Sequence, residues 1–265
     1  MKIILSRKGF DSEYGRQPNP ILPDGTLLSL PIPDIDGNNL FSSLHWNGMN
    51  YYDIIRSLKP RTTIKEHDTC HLDPDLREDV RDRLSGWKPS FGQSGIALQH
   101  LRNYNVNKGD LFLFFGWFRE TEMNNGKLIY KKGAKDQHVI YGYMQIGDII
   151  ERKEDAPNWL KDHPHIGDKK DRDNDKNAIF LPSCKLSFLP NINGCGLLNY
   201  RKDRILTKEG MSKSKWDLPD FFKEVKISYH PHPWKDNYFQ SAAKGQEFVF
   251  DTTPKISDWV KKLLV

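Results

Sequence analysis

Two strand-like runs constrain this chain more than anything else in it. The first begins at a turn, Lys108-Gly109-Asp110, and continues as Leu111-Phe112-Leu113-Phe114-Phe115-Gly116-Trp117-Phe118-Arg119. The second is His138-Val139-Ile140-Tyr141-Gly142-Tyr143-Met144-Gln145-Ile146-Gly147-Asp148-Ile149-Ile150. Both are apolar and aromatic, and both are loosened by glycine, which inside a strand marks a bulge or a close backbone approach. Two such strands can wall a small barrel with a slot for a flat ligand. The rest of the chain mixes strands and short helices without the regular βαβ alternation of a doubly wound sheet. The expectation is an α+β fold: one mixed, strongly bent sheet or small barrel, decorated by short helices, in a single domain over residues 1–265.

Further strands are expected at Lys2–Leu5, Thr26–Ile32, Leu128–Lys131, Ala178–Leu181, Val225–Tyr229 and Glu247–Asp251. Asn124-Asn125-Gly126 is a hairpin signal that pairs the first long strand with Leu128–Lys131. Helices are expected over Tyr51–Leu58, capped by Asn50 or Asn47, from Asp73 to about Leu84, and over Gly95–Tyr104 with Ser94 as cap. A short helix ends at Lys161, and Ile256–Leu264 closes the chain with Ser257 as cap. The alternating charges of Asp168–Lys176 read as a solvated loop.

Forty Lys and Arg stand against 35 Asp and Glu, a net charge of +5 that is compatible with a polyanionic partner without demanding one. Three cysteines (Cys70, Cys184, Cys195) are too few and too scattered for a disulfide framework or a cysteine-rich zinc site. The opening residues make no signal peptide, and no run approaches the roughly 20 apolar residues of a membrane span. A cytoplasmic protein with no membrane partner is expected.

Phosphate-loop, GxGxxG and HExxH patterns are absent, so candidate residues must be argued singly. Arg7 and Lys8 follow the first strand beside Gly9 and Asp11, where an Arg can hold a phosphate bidentately; the alternative is a solvated basic turn. Gln93, in a small-residue loop before a helix, can read a base edge or can simply lie at a helix start. Trp117, Phe118 and Tyr141 are the candidate stacking faces, with Arg119 beside them as a further phosphate contact; core packing is the alternative for the rings. His138 is a candidate reader of a base edge.

His71, near Asp73, and His100 are acid/base candidates, joined by Asp11 and by Glu247 after Gly245-Gln246. For Asp73 itself the helix-cap reading is the stronger of the two. His163-Pro164-His165 and His230-Pro231-His232 each put two imidazoles on one side of an extended segment. With His71 or His138 they could gather nitrogen ligands, but no carboxylate or cysteine sits at customary ligand spacing. No metal is therefore assigned, His165 and His230 are read as nucleotide contacts, and no cofactor is specified.

Several phrases taken together resemble a known family. They are Leu5-Ser6-Arg7-Lys8-Gly9-Phe10-Asp11-Ser12, Pro20-Ile21-Leu22-Pro23-Asp24-Gly25, His71-Leu72-Asp73-Pro74-Asp75-Leu76, Phe91-Gly92-Gln93, Asp162-His163-Pro164-His165, Leu218-Pro219-Asp220-Phe221-Phe222 and Gly245-Gln246-Glu247-Phe248-Val249. Over nearly the whole chain the sequence is similar to the third of the bacterial and phage nucleotide modification associated domain families. Residues 92–150 also resemble, locally, the PUA, ASCH and EVE modified-base binders, which implies a PUA-like barrel there.

The resemblance implies a role in DNA or nucleotide modification, or in phage defence, with no settled reaction to carry over. Three readings follow. In the first, the chain binds a nucleotide or an extruded, modified base. In the second, it is an enzyme acting on that nucleotide, a transferase or glycosidic-bond hydrolase using Asp11, His71, His100 or Glu247. In the third, it is an interaction module for partner proteins of a modification system. An enzyme requires the polar candidates to converge in one cleft; a reader requires an aromatic slot rimmed by cations.

Overall fold

The aromatic run is buried on both faces, and that places it at the centre of a sheet. The computed structural model describes residues 1–166, 176–228, 232–241 and 247–265. Among them, nine strands join in one sheet: β1 (Lys2–Arg7), β2 (Asn19–Ile21), β3 (Phe91–Ser94), β4 (Leu111–Asn124), β5 (Lys127–Tyr130), β6 (Gln137–Ile150), β7 (Asn177–Pro182), β8 (Cys195–Leu197) and β9 (Glu247–Asp251). The order across the sheet is β9-β1-β4-β6-β7-β3, with β2 and β5 also on β4 and β8 also on β6. β1 and β2 run parallel to β4, and the other pairings are antiparallel. The expected α+β architecture is what forms: a mixed sheet that curls into a half-barrel.

Local chemistry explains the curl. β4 and β6 are each 14 residues long. The β4–β6 register shifts between Ile140 and Gly142, and the β6–β7 register between Ile146 and Asp148, so both irregularities fall at glycine-containing steps. Bulges of this kind sharpen bend and twist. Gly116 allows a different closeness: a Cβ there would lie 2.9 Å from the Lys8 carbonyl oxygen. The exit of β1 therefore packs directly on the β4 backbone.

Alternation along β4 builds two cores. Leu111, Leu113 and Phe115 join Ile3, Leu5, Trp216, Phe222, Phe248 and Phe250 under helix α3 (Pro254–Leu264), which contributes Ile256, Val260 and Leu263. Phe112, Phe114 and Phe118 join Ile4, Phe91, Tyr141, Met144 and Phe180 under α2 (Gly95–Asn103), which contributes Leu98 and Leu101. A third cluster, with Phe10, Leu28, Leu30, Phe41 and Leu128, packs around α1 (Tyr51–Leu58). None of these helices is long and apolar enough to cross a membrane.

Caps behave locally: Asn50 accepts from the Asp53 amide at 2.8 Å, while for α3 the cap is Thr253, with Pro254 following, rather than Ser257. Ile96 is exposed on α2, so the apolar side of that helix is narrower than its sequence implies. The largest departure is the helix expected from Asp73 to Leu84, where only a short 3-10 turn at Glu78–Val80 forms. Asp75 instead exchanges both backbone hydrogen bonds with Ser90, and its carboxylate takes a bidentate grip from Arg83 at 2.6 and 2.7 Å. That pairing holds the segment extended against β3. Thr26–Ile32 is likewise no continuous strand, since only Ile32–Pro33 is one, and no strand forms at residues 225–228. The charged stretch 168–175, His230 and the Gly245-Gln246 pair lie outside the described residues.

Asn19 ties the N-terminal loops to the sheet. It is fully buried; its Oδ1 accepts from the amides of Leu30 (2.8 Å) and Phe10 (3.3 Å), and its Nδ2 donates to the carbonyls of Trp117 (2.8 Å) and Phe10 (3.2 Å). Each buried backbone group left unsatisfied costs about 1–3 kcal/mol. Asn19→Ala is therefore expected to lower stability by about 3 kcal/mol or more, read as a fall in the urea midpoint with an unchanged slope.

Candidate functional site

A cleft of about 170 Å³ opens where β1 ends. Its walls come from distant parts of the chain: Arg7, Lys8 and Gly9 after β1, Asp11 and Tyr14 in the following turn, His71 and Asp73, Gly92, Gln93 and Ser94 of β3, and His165. His71 ends the strand Thr69–His71, which pairs with Ile32–Pro33 and Asn39–Leu40. The Asp75–Ser90 pairing then brings Asp73 against β3, where its Oδ1 accepts the Gly92 amide at 2.6 Å.

The floor is a charged network. Glu247, at the start of β9, is buried, and its Oε1 accepts from Gln93 Nε2 (2.6 Å), Ser6 Oγ (3.1 Å) and Lys8 Nζ (3.2 Å). Lys8 Nζ also lies 4.5 Å from the centre of the Phe91 ring. Glu247 Oε2 has no hydrogen-bond partner among the described residues.

Above that floor, three imidazoles face one carboxylate. His71 Nε2 and His165 Nε2 each stand 3.9 Å from Asp73 Oδ2, and His163 Nε2 is 3.5 Å from Oδ1. On its far side, His71 Nδ1 meets Asp34 Oδ2 at 3.3 Å. His165 Nδ1 lies 2.7 Å from Asn177 Oδ1, and the Asn177 Nδ2 donates to the His165 carbonyl at 2.9 Å. Gly92 makes room for this arrangement: a Cβ there would fall 2.2 Å from His165 Cδ2. Burial pushes the His165 imidazole down to about 3. Burial alone would raise the Asp73 carboxyl, but the His163 contact and the charges of His165, His163 and His71 outweigh it and hold the group well below the usual carboxylate range.

The other candidates fall in different places. The Asp11 carboxylate lines the cleft, while its Oδ1 accepts the Glu13 and Tyr14 amides at 2.8 and 2.7 Å. His100 is outside the cleft, half-buried, with Nε2 3.0 Å from Ser228 Oγ; burial lowers it from its ordinary value against the pull of Glu247. His138 is a core residue whose Nδ1 accepts from the Trp216 indole at 3.0 Å. Burial, then the charges of Arg7 and Lys213, hold it well below its ordinary value.

Trp117, Phe118 and Tyr141 do not form a slot. Phe118 and Tyr141 are buried together, while Trp117 projects from the opposite face of β4 with Lys213 Nζ 4.0 Å from its ring centre. Arg119 pairs with Asp136 at 2.7 Å on the same side of β4, near Lys213. Sequence reasoning set Asp73 beside His71 and grouped His163 with His165, but it missed Asn177 and the approach of Asp73 to His163 and His165. The local signal for Asp73 is its place two residues after His71, a spacing for which capping is the stronger reading.

A family model described as nucleotide modification associated domain 3 matches residues 2–251. No curated protein and no solved structure matches the chain.

Two stability predictions follow from these surroundings. Lys8 and Glu247 are both nearly closed to solvent, so Lys8→Met leaves a buried carboxylate without its cation and is expected to cost about 3–5 kcal/mol. Lys8→Met combined with Glu247→Gln removes both charges and should recover most of that loss in urea unfolding. His138 is neutral when folded, whereas an unfolded imidazole titrates near about 6.5. Its stabilising effect is thus complete above that pH and declines as pH falls below it, by up to about 1.4 kcal/mol per pH unit. Urea midpoints at neutral and mildly acidic pH should fall less steeply for His138→Gln than for the natural chain.

Proposed function

The chain belongs to the nucleotide modification associated domain 3 family, and from that membership we propose that it is an enzyme acting on a nucleotide or on a base within nucleic acid, with the cleft at the end of β1 as its active site. One observation carries the choice of an enzyme over a reader. Arg7, Lys8, Asp11, His71, Gln93 and His165, from separate segments, line one cleft floored by Glu247, while the candidate stacking rings are dispersed. Acid/base chemistry needs polar groups that converge on one point, and these residues do so.

In this reading Arg7 holds phosphate at the cleft mouth, and His71 and Asp11 face the reacting group. The Lys8–Glu247–Gln93 network keeps the floor rigid and polar. The natural setting is a bacterial or phage modification or defence system, with partner proteins drawn from the same system.

The test is mass spectrometry of ordinary and hypermodified nucleotides and oligonucleotides incubated with the full chain. Conversion to a product of different mass is expected. Arg7→Ala should weaken substrate binding by about 10- to 100-fold, the value of a hydrogen bond to a charged group. Binding without conversion, lost in Trp117→Ala and kept in Arg7→Ala, would replace the enzyme with a base reader. Neither binding nor conversion would overturn both.

A further inference from the structure

We propose that His71, Asp73 and His165 bind a divalent first-row transition-metal ion through two imidazole Nε2 atoms and the Asp73 Oδ2. One ligand atom from each of the three lies within 4.8 Å of the other two. The two Nε2 to Oδ2 separations of 3.9 Å are too long for hydrogen bonds. Ligand atoms about 2.1 Å from one ion stand roughly 3.0–3.4 Å apart at octahedral or tetrahedral angles. The set closes on an ion by moving inward by about half an ångström.

The hydrogen bonding around the triad determines which atoms are offered. Asn177 spends its Nδ2 on the His165 carbonyl, so its Oδ1 is an acceptor and His165 Nδ1 must be the donor. His165 is 4 % exposed, and with Nδ1 committed to Asn177 its Nε2 is the ring nitrogen left turned toward the Asp73 carboxylate oxygen. An ion in that gap would be met by both atoms at once. Asp73 is oriented in the same way: Gly92 donates to Oδ1, which leaves Oδ2 turned toward the imidazoles.

His163 supports the triad from outside. Its Nδ1 accepts the His165 amide at 3.2 Å, so its protonated nitrogen is the Nε2 that faces Asp73 Oδ1. Metal-binding imidazoles characteristically give their second nitrogen to a carboxylate or carbonyl oxygen, as His71 does toward Asp34 and His165 toward Asn177. Two imidazoles and a carboxylate suit zinc, iron, manganese or cobalt better than magnesium or calcium, which prefer all-oxygen shells. Three protein ligands leave further coordination positions open on the cleft side, where a catalytic rather than a structural ion would need them.

The assignment stands on ligand geometry and deepens the enzyme reading without depending on it. The experiment uses the full chain, stripped with chelator and titrated with Co2+ and with Zn2+ in the absence of nucleotide. One ion per chain is expected, with visible Co2+ absorption and a rise in melting temperature. His71→Gln or His165→Gln should weaken binding by more than about 100-fold, and Asn177→Ala, which only loosens a ligand, by about 10- to 100-fold. Circular dichroism identifies any variant that has unfolded, and for such a variant the Asn177→Ala affinity carries the comparison. Failure of the folded natural chain to bind either ion, or binding unmoved by all three substitutions, would overturn the site. A metal bound at this site with no nucleotide conversion would overturn only the enzyme reading.

Discussion

The buried carboxylate of Glu247 is the constraint around which the cleft is arranged. An ionised group taken out of water is tolerable only when charge and hydrogen bonds meet it on the spot. Pairing of β9 with β1 places Glu247 opposite Ser6, and its Oε1 then draws Lys8 from beyond the end of β1 and Gln93 from β3. Three segments far apart in the chain are thereby held at one point. Gly116 completes the arrangement by letting the Lys8 backbone lie against β4. The positions of Lys8 and Gln93 in the cleft lining follow from satisfying this one charge.

What could be read from the sequence was what local chemistry decides. The long glycine-broken strands, the Asn125-Gly126 hairpin, the Asn50 cap and the terminal amphipathic helix depend on residues within a few positions of one another, and they formed. Asp73 shows the opposite case. Its neighbours Pro74 and Asp75 resemble a helix start, but Asp75 is claimed by Ser90 and Arg83, and Asp73 by Gly92. Those partners are distant in sequence, and one buried bidentate ion pair outweighs a helix propensity of a few tenths of a kcal/mol per residue. The carboxylate that no local spacing placed near His163 and His165 was therefore present all along, one fold contact away.

The aromatic reading failed to assemble for a reason already contained in strand geometry. Successive side chains on a strand point to opposite faces, so Trp117 and Phe118 cannot both flank one base. Phe118 falls in register with Phe112 and Phe114 and is sealed with Tyr141 beneath α2. Parity along β4, applied to the whole run, separates the core rings from the one half-buried indole.

Charge around the cleft links its floor to the function proposed for it. Arg7 and Lys8 face Asp11, Asp73 and Glu247, two cations against three carboxylates, while burial keeps His165 neutral. With Lys8 already engaged by Glu247, that balance leaves the cleft without surplus positive charge. A divalent ion held by His71, Asp73 and His165 reverses the sign and places positive charge beside Arg7, where low exposure strengthens its field. The same buried carboxylates that organise the fold then become compatible with an anionic substrate. Nucleotide affinity should accordingly depend on the ion as strongly as on the arginine, even if no substrate atom touches the metal.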